Sequence, residues 1–295
     1  MTLHNFTRNA DYGYVVVPKL QPKDDNRMVD LAEQFHSLHK RRGIILMLAI
    51  AWDARRAKTI EDTGAEAIAT TSAGISRALG YRKDAMIPAQ ILGEAVTQIT
   101  KIIRIPLSIE FETSYTNDRA QFGETLKTAI DSGVVGVNIE DGLFPPSALA
   151  KKIERARHTS EALGINLFIN ARTDVYLAKI GDPDERLMEA IKRGLRYREA
   201  GADGIFVPGL ADPASIGAIV EQVKLPVNIL AASDLPPIAE LRRLGVRRLS
   251  SNQEAPREIL AAVKGVGEGF IVPRETNPLL EESRNHGHIQ NLFSP

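Results

Sequence analysis

Apolar residues recur along this chain in two rhythms. Compact apolar runs fall at 44–50, 66–70, 106–111, 134–139, 166–171, 204–208, 226–230 and 246–250, and they read as buried strands. Between them lie longer stretches with apolar positions at helical spacing, among them Gln121–Asp131, Ser147–Leu163 and Pro183–Ala200, which read as amphipathic helices. The junctions repeat one arrangement, helix end, glycine, then a small or β-branched residue, as at Ser132-Gly133-Val134 and Ala200-Gly201-Ala202. Glycine in that place suits a left-handed helix cap. Two other strands open at Ile105-Pro106 and Leu225-Pro226, where proline can begin a strand without losing a ladder bond. Strand–helix units in this order predict a (β/α)8 TIM-type barrel over residues 29–266. A doubly wound open sheet is the alternative, but no Gly-x-Gly-x-x-Gly turn or phosphate loop supports it.

The flanks have a different texture. Residues 1–28 form an N-terminal extension of mixed character, with a short apolar burst at Tyr14–Val17 closed by Pro18. Helical spacing begins at 29 and stops at the basic run His39-Lys40-Arg41-Arg42 with Gly43 behind it. Residues 267–295 form a C-terminal helical appendage.

Composition narrows the class. Lys plus Arg and Asp plus Glu both number 37, so the chain carries no basic footprint for nucleic acid. There is no cysteine, which excludes disulfides, thiolate metal sites and cysteine nucleophiles. No apolar run approaches the roughly 20 residues of a membrane span, and no basic-then-apolar leader opens the chain. A cytoplasmic protein with neither nucleic-acid nor membrane partners is expected.

The chemistry gathers at the strand ends. Strand 3 ends in Glu110 and Glu112, which alternation places on one side. Strand 4 ends in Glu140-Asp141, so two neighbouring strands bring carboxylates to one end of the barrel. Carboxylates crowd only where a cation or a shared proton relieves their repulsion. The other strand ends carry Trp52 and Asp53, Thr71 and Ser72, Asn138, Asn170, Arg172 and Asp174, Asn228, and Ser250. Hard oxygen donors without Cys or strand-end His favour Mg²⁺ or Mn²⁺ over zinc. The alternative is solvated strand-end acids. Arg172 suits a small carboxylate substrate, since its fork binds two oxygens, although Asp174 could be its structural partner. A metal beside a chelated 2-oxo acid points to chemistry through an enolate.

Six motifs in order carry a family resemblance. They are Ala51-Trp52-Asp53-Ala54, Ala69-Thr70-Thr71-Ser72-Ala73-Gly74, and Val137-Asn138-Ile139-Glu140-Asp141-Gly142, then Ile169-Asn170-Ala171-Arg172-Thr173-Asp174, Phe206-Val207-Pro208-Gly209-Leu210 and Pro226-Val227-Asn228-Ile229-Leu230. The set resembles the isocitrate lyase/phosphoenolpyruvate mutase superfamily over about residues 31–265. The resemblance implies a homo-oligomer, tetramer or dimer, with the C-terminal appendage swapped between subunits. It implies Mg²⁺ at Glu110, with Glu112 and Glu140 holding its waters and Asp84 nearby. It places Thr71 and Ser72 on the substrate carboxylate, with Trp52, Asp53, Asn170, Arg172 and Asn228 around the substrate.

The departures sharpen the expectation. The isocitrate and methylisocitrate lyases use a cysteine acid on a Lys-Lys-Cys-Gly-His loop, and this chain has none. The connection Glu140-Asp141-Gly142-Leu143-Phe144-Pro145-Pro146-Ser147 resembles the short-loop, decarboxylase-like branch. Glu110 stands where the family has Asp, one methylene longer. Tyr115, Ser147 and a metal-bound water are the candidates for the acid that protonates the enolate, beside Arg172 as the catalytic cation. The expected activity is cleavage of a small 2-oxo or 2-hydroxy dicarboxylate. The rivals are P–C bond chemistry on a phosphonate and a barrel that has lost catalysis and serves as a binding or scaffold subunit.

Overall fold

Each apolar run becomes one strand of a closed parallel barrel in the computed structural model, which describes residues 25–81, 87–111, 119–142, 144–251, 261–265 and 268. The strands are β1 (Leu46–Ile50), β2 (Ile68–Thr71), β3 (Leu107–Phe111), β4 (Gly136–Glu140), β5 (Phe168–Arg172), β6 (Gly204–Phe206), β7 (Val227–Leu230) and β8 (Arg248–Ser250). Each pairs in parallel with its neighbours in chain order, and β8 closes on β1. The strands begin one or two residues later than the apolar runs in most cases, because the first apolar residues belong to the turn under the barrel.

Nine helices are described around the strands: α1 (Asp25–Lys40), α2 (Ala54–Asp62), α3 (Ser72–Ala78), α4 (Ala89–Thr100), α5 (Arg119–Asp131), α6 (Pro146–Ala162), α7 (Pro183–Glu199), α8 (Pro213–Val223) and α9 (Ile238–Leu244). The sequence explains their limits. Asp182 caps α7 through a reciprocal pair with Glu185, Pro183 takes the first helical position, and Gly201 follows at φ +101°. In α6, Leu149, Ile153 and Ala156 recur on one face and are fully buried. Burying a side chain such as Leu or Ile is worth about 1.5–3 kcal/mol.

Helix α1 starts four residues before the expected 29, at Asp25, and its Arg27 donates to Ile103 O at 2.6 Å. It closes the N-terminal mouth of the barrel. Phe35 meets Phe168 edge-on at 5.4 Å, and His39 stacks on the same ring at 3.9 Å. A Cβ at Gly136 would lie 2.4 Å from the Phe35 ring, so only glycine at the start of β4 admits this plug.

Strand register decides which residues face inward. Leu48 pairs with Ser250, Thr71 with Glu110, Glu110 with Asn138, Asn138 with Asn170, and Glu140 with Arg172. On the closing side Arg172 pairs with Phe206, Phe206 with Asn228, and Asn228 with Arg248. Paired residues of parallel strands share a face. One polar lining therefore runs around the interior, while Val137, Ile139, Ile169 and Ala171 point outward to the helices and are buried there. The outer face of β1 is less covered at Met47, which is 54% exposed, and Ile44, two residues before the strand, is 47% exposed. Of the expected extension 1–28, residues 25–28 belong to α1 and 1–24 lie outside the described residues, as does the expected appendage 267–295 apart from residue 268.

Candidate active site

Arg172 is the last residue of β5 and faces the interior between two acidic strand ends. Its Nη1 lies 2.6 Å from Glu110 on β3 and 3.0 Å from Glu140 on β4, and its Nε donates to Asp174 at 2.7 Å. All four side chains are less than one fifth exposed. Burial works against the Arg172 charge, but the carboxylates of Glu110, Glu140 and Asp174 outweigh it and raise its pKa further. The crowding of acids expected at this end is thus relieved by a guanidinium. No bond to Arg172 Nη2 is present among the described residues, and the side chain borders a cavity of about 150 Å³.

That cavity lies inside the C-terminal mouth. Glu110, Asn138, Arg172, Arg248 and Ser250 form its polar side. Leu177, Phe206, Pro208 and Leu230 form an apolar wall, with the Phe206 ring 5.8 Å from the Arg172 guanidinium. A chain of neutral hydrogen bonds crosses the floor. Asn170 donates to Asn138 Oδ1 at 2.9 Å, and Ser250 Oγ donates to Asn228 Oδ1 at 3.1 Å.

The sequence-derived candidates divide. Thr71, Glu110 and Arg172 border the cavity, and Asn170 and Asn228 belong to the buried network beneath it. Thr71 Oγ1 is occupied in capping α3, accepting from Gly74 N at 2.7 Å, while the Ser72 hydroxyl is buried without a partner among the described residues. Asp53 caps α2 through Arg56 N at 2.8 Å and pairs with the Arg56 side chain, which covers Trp52 at 4.6 Å. Trp52, Asp53 and Ser147 are not among the residues bordering the cavity, and Ser147 sits in the first turn of α6. Asp84, Glu112 and Tyr115 lie outside the described residues.

Two neighbours at the end of β4 have opposite fates. Glu140 faces inward to Arg172, whereas Asp141 points outward and is fully buried. Asp141 accepts from Tyr197 Oη at 2.6 Å, Arg193 Nη1 at 2.9 Å and Asp174 N at 2.9 Å. Burial and the adjoining Asp141 charge push the Tyr197 hydroxyl far above its usual range, so it remains a donor. Asp141 thus ties β4, β5 and α7 together and holds Asp174 where it can orient Arg172.

Sequence reasoning passed over Arg248. It begins β8, is 1% exposed and faces the interior. The doublet Arg247-Arg248 looks like a solvated strand start, and the signal that separates them is alternation: Arg248 and Ser250 share a face. A larger open depression of about 530 Å³ lies at the opposite, N-terminal end, between Arg157 and Gly201. There Arg157 donates to Leu167 O and Gly201 O at 2.9 Å each and pairs with Asp203, so its donors serve the backbone.

The closed parallel barrel gathers Glu110, Glu140, Asp174 and Arg172 at its C-terminal mouth, the end where enzymes of this fold carry their sites. The chain belongs to the phosphoenolpyruvate phosphomutase family, whose sequence profile matches residues 35–270. That family lies within the phosphoenolpyruvate mutase/isocitrate lyase superfamily, which makes the protein an enzyme of lyase or mutase type. It is 33% identical over 252 residues to an uncharacterised Mycobacterium tuberculosis protein, covering 81% of this chain and 91% of that one. It is 29% identical over 226 residues to oxaloacetate decarboxylase of Pseudomonas aeruginosa, covering 73% and 76% respectively. Among solved structures, a candidate phosphonomutase from Burkholderia cenocepacia superposes with TM-score 0.76 at 31% identity, covering 82% of this chain and 99% of that chain.

Proposed function

We propose that the protein is a divalent-metal-dependent lyase that breaks a C–C bond of a small 2-oxo or 2-hydroxy dicarboxylate through a pyruvate-like enolate. The observation that carries this reading is the meeting of Glu110, Glu140 and Asp174 on Arg172 at the rim of the cavity inside the barrel mouth. The likeness to oxaloacetate decarboxylases supports it and makes oxaloacetate the first substrate to try.

The donor set fits a hard cation. Glu110 and Glu140 offer carboxylate oxygens at adjacent strand ends without sulfur or imidazole beside them, which suits Mg²⁺ or Mn²⁺. Asp84 and Glu112 would complete the set from outside the described residues; among the described residues no three ligating side chains converge. When bound, the ion supplies Lewis-acid stabilisation of the oxygen that becomes the enolate. The chain's own residues do the rest. Asp174 fixes Arg172 Nε and so sets the plane of the fork, leaving Nη2 to meet a substrate carboxylate. Ser72 offers a buried hydroxyl with no other bond among the described residues. Phe206 and Leu230 exclude water from the cavity side.

In decarboxylation the bond between C3 and the distal carboxyl carbon breaks, CO₂ leaves, and the electron pair forms the C2–C3 double bond of the enolate. A proton delivered to C3 then gives the 2-oxo acid. Tyr115 and Ser147 are the proposed donors, and Tyr115→Phe and Ser147→Ala compared in turnover decide between them. The test of the whole reading is release of pyruvate from oxaloacetate above the spontaneous rate, abolished by chelator and restored by Mg²⁺ or Mn²⁺. Failure to produce a 2-oxo acid from any of a panel of 2-oxo and 2-hydroxy dicarboxylates sinks it.

A second reading, P–C bond chemistry, is favoured by the likeness to the candidate phosphonomutase. The short link from Glu140 to Pro146 argues for the lyase, and phosphorus NMR with phosphonopyruvate separates the two. We further propose a homo-oligomer, dimer or tetramer, in which residues beyond 266 cross to a neighbour. The exposed Met47 on the outer face of β1 and the exposed Ile44 just before that strand support the arrangement, and a monomer in sedimentation would oppose it.

A further inference from the structure

The cavity is bordered by two arginines in opposite circumstances. Arg172 has three carboxylates against it. Arg248 has none among the described residues, although it is the more deeply buried of the two. Its Nε donates to Ser250 Oγ at 3.1 Å and its Nη2 to Asn138 Oδ1 at 3.3 Å, both neutral acceptors at long range. Its Nη1 is buried and has no partner among the described residues. Burial pulls its pKa down to about 9, Glu110 offsetting part of the fall, so the group is still a cation at neutral pH. Below it sits the α1 plug, whose His39 is held neutral by burial and by Arg248 itself, so no anion meets it from that side. A guanidinium buried with an idle donor and no counter-charge is costly, and such groups are kept where a ligand completes them.

Height along the barrel sets its place. Arg248 stands two residues below Ser250 on β8, whereas Arg172 ends β5 at the mouth. Arg172 and Arg248 thus border one cavity at different depths, Arg172 above and Arg248 below.

We propose that Arg248 is a second anion-binding residue of the site, which takes the distal carboxylate of a dicarboxylate whose 2-oxo-acid or 2-hydroxy-acid end sits beside Arg172. Arg248 therefore sets specificity for dianions over monoanions. The substrate class rests on the lyase reading above. The geometry of two arginines bordering one small cavity, only one of them paired with carboxylates among the described residues, does not.

Calorimetry with malate and 2-hydroxybutyrate tests it on the full chain with Mg²⁺ present. The two ligands share the 2-hydroxy-acid end, and only malate carries the distal carboxylate. Malate is expected to bind about 30-fold tighter, the size of one charged hydrogen-bond pair. In Arg248→Met that preference disappears while the Kd for 2-hydroxybutyrate holds. Should Arg248→Met not fold, Arg248→Lys carries the test, because it keeps the charge and loses the fork. Its preference for malate is expected to fall about tenfold, again with 2-hydroxybutyrate unchanged. Equal affinity of the wild type for the two ligands, selectivity that survives in both variants, or equal loss of both ligands overturns the assignment. Malate selectivity without release of a 2-oxo acid from any of the panel of 2-oxo and 2-hydroxy dicarboxylates would refute the lyase reading alone.

Discussion

At the N-terminal end of the barrel, Arg157 serves two backbone carbonyls and Asp203, and Asp203 in turn accepts from Ile169 N at 2.8 Å. At the C-terminal end, Arg172 gathers three carboxylates while Arg248 has none among the described residues. Both ends hold partly or wholly buried charge, and they differ in how it is matched. Below, the donors of Arg157 are answered by neighbours from the adjoining turns, and burial lowers the pKa of both His36 and His39. Above, the charges would pair more evenly if Arg248 could reach a carboxylate, but it is walled off in the interior. Locally matched charge braces a structure; misplaced charge beside a cavity is a means of binding something.

The sharpest way to break this contrast is Arg172→Met. It leaves Glu110, Glu140 and Asp174 facing one another without their cation, and turnover of oxaloacetate is expected to fall about 10³-fold, the range for losing a preorganised charge at a reacting centre. A rate within tenfold of wild type would remove Arg172 from the chemistry. At the other end, Arg157→Ala should cost about 2–3 kcal/mol in denaturant unfolding, from the lost charged hydrogen bonds, with KM and kcat unmoved. Altered kinetics there would blur the distinction between the two ends.

A gentler effect comes from His39, whose pKa burial lowers to about 3. The unfolded chain takes up a proton near pH 6.5 and the folded one does not. The contribution is therefore complete above that value and is lost as pH falls toward 3. Between pH 6 and 5 stability should drop by about 1.4 kcal/mol per pH unit from this group, and His39→Leu should flatten the slope of urea midpoints by that amount. An unchanged slope would mean that the plug admits the charged ring. The smallest effect is at Asp53. As the cap of α2, Asp53→Ala should cost about 1 kcal/mol and spare catalysis; a large rise in KM would return Asp53 to the substrate.

Much of this architecture is legible in the order of residues alone. The alternation of apolar runs and amphipathic stretches, with glycines such as Gly133 and Gly201 at φ +105° and +101°, is a local signal, and the barrel follows from it. The acids at the ends of β3 and β4 and the arginine at the end of β5 are visible for the same reason: they adjoin the strands in sequence. Asp53 shows the opposite case. It sits in a motif that reads as substrate-binding, yet its carboxylate is committed three residues away, to Arg56.

What the chain determines by itself is thus its periodicity, its caps and the residues that follow each strand, because these depend on neighbours a few positions apart. What only the tertiary structure decided is the company each charge keeps. Arg172 meets Glu110 across 62 positions, and Arg248 meets Asn138 across 110, because barrel closure and strand register bring them into one interior. A one-residue slip of β8 would turn Arg248 out against the helix layer, where Leu249 is now buried, and bring Leu249 inward. Its inward place is a property of pairing with β7 and β1, not of the Arg247-Arg248 doublet in which it occurs.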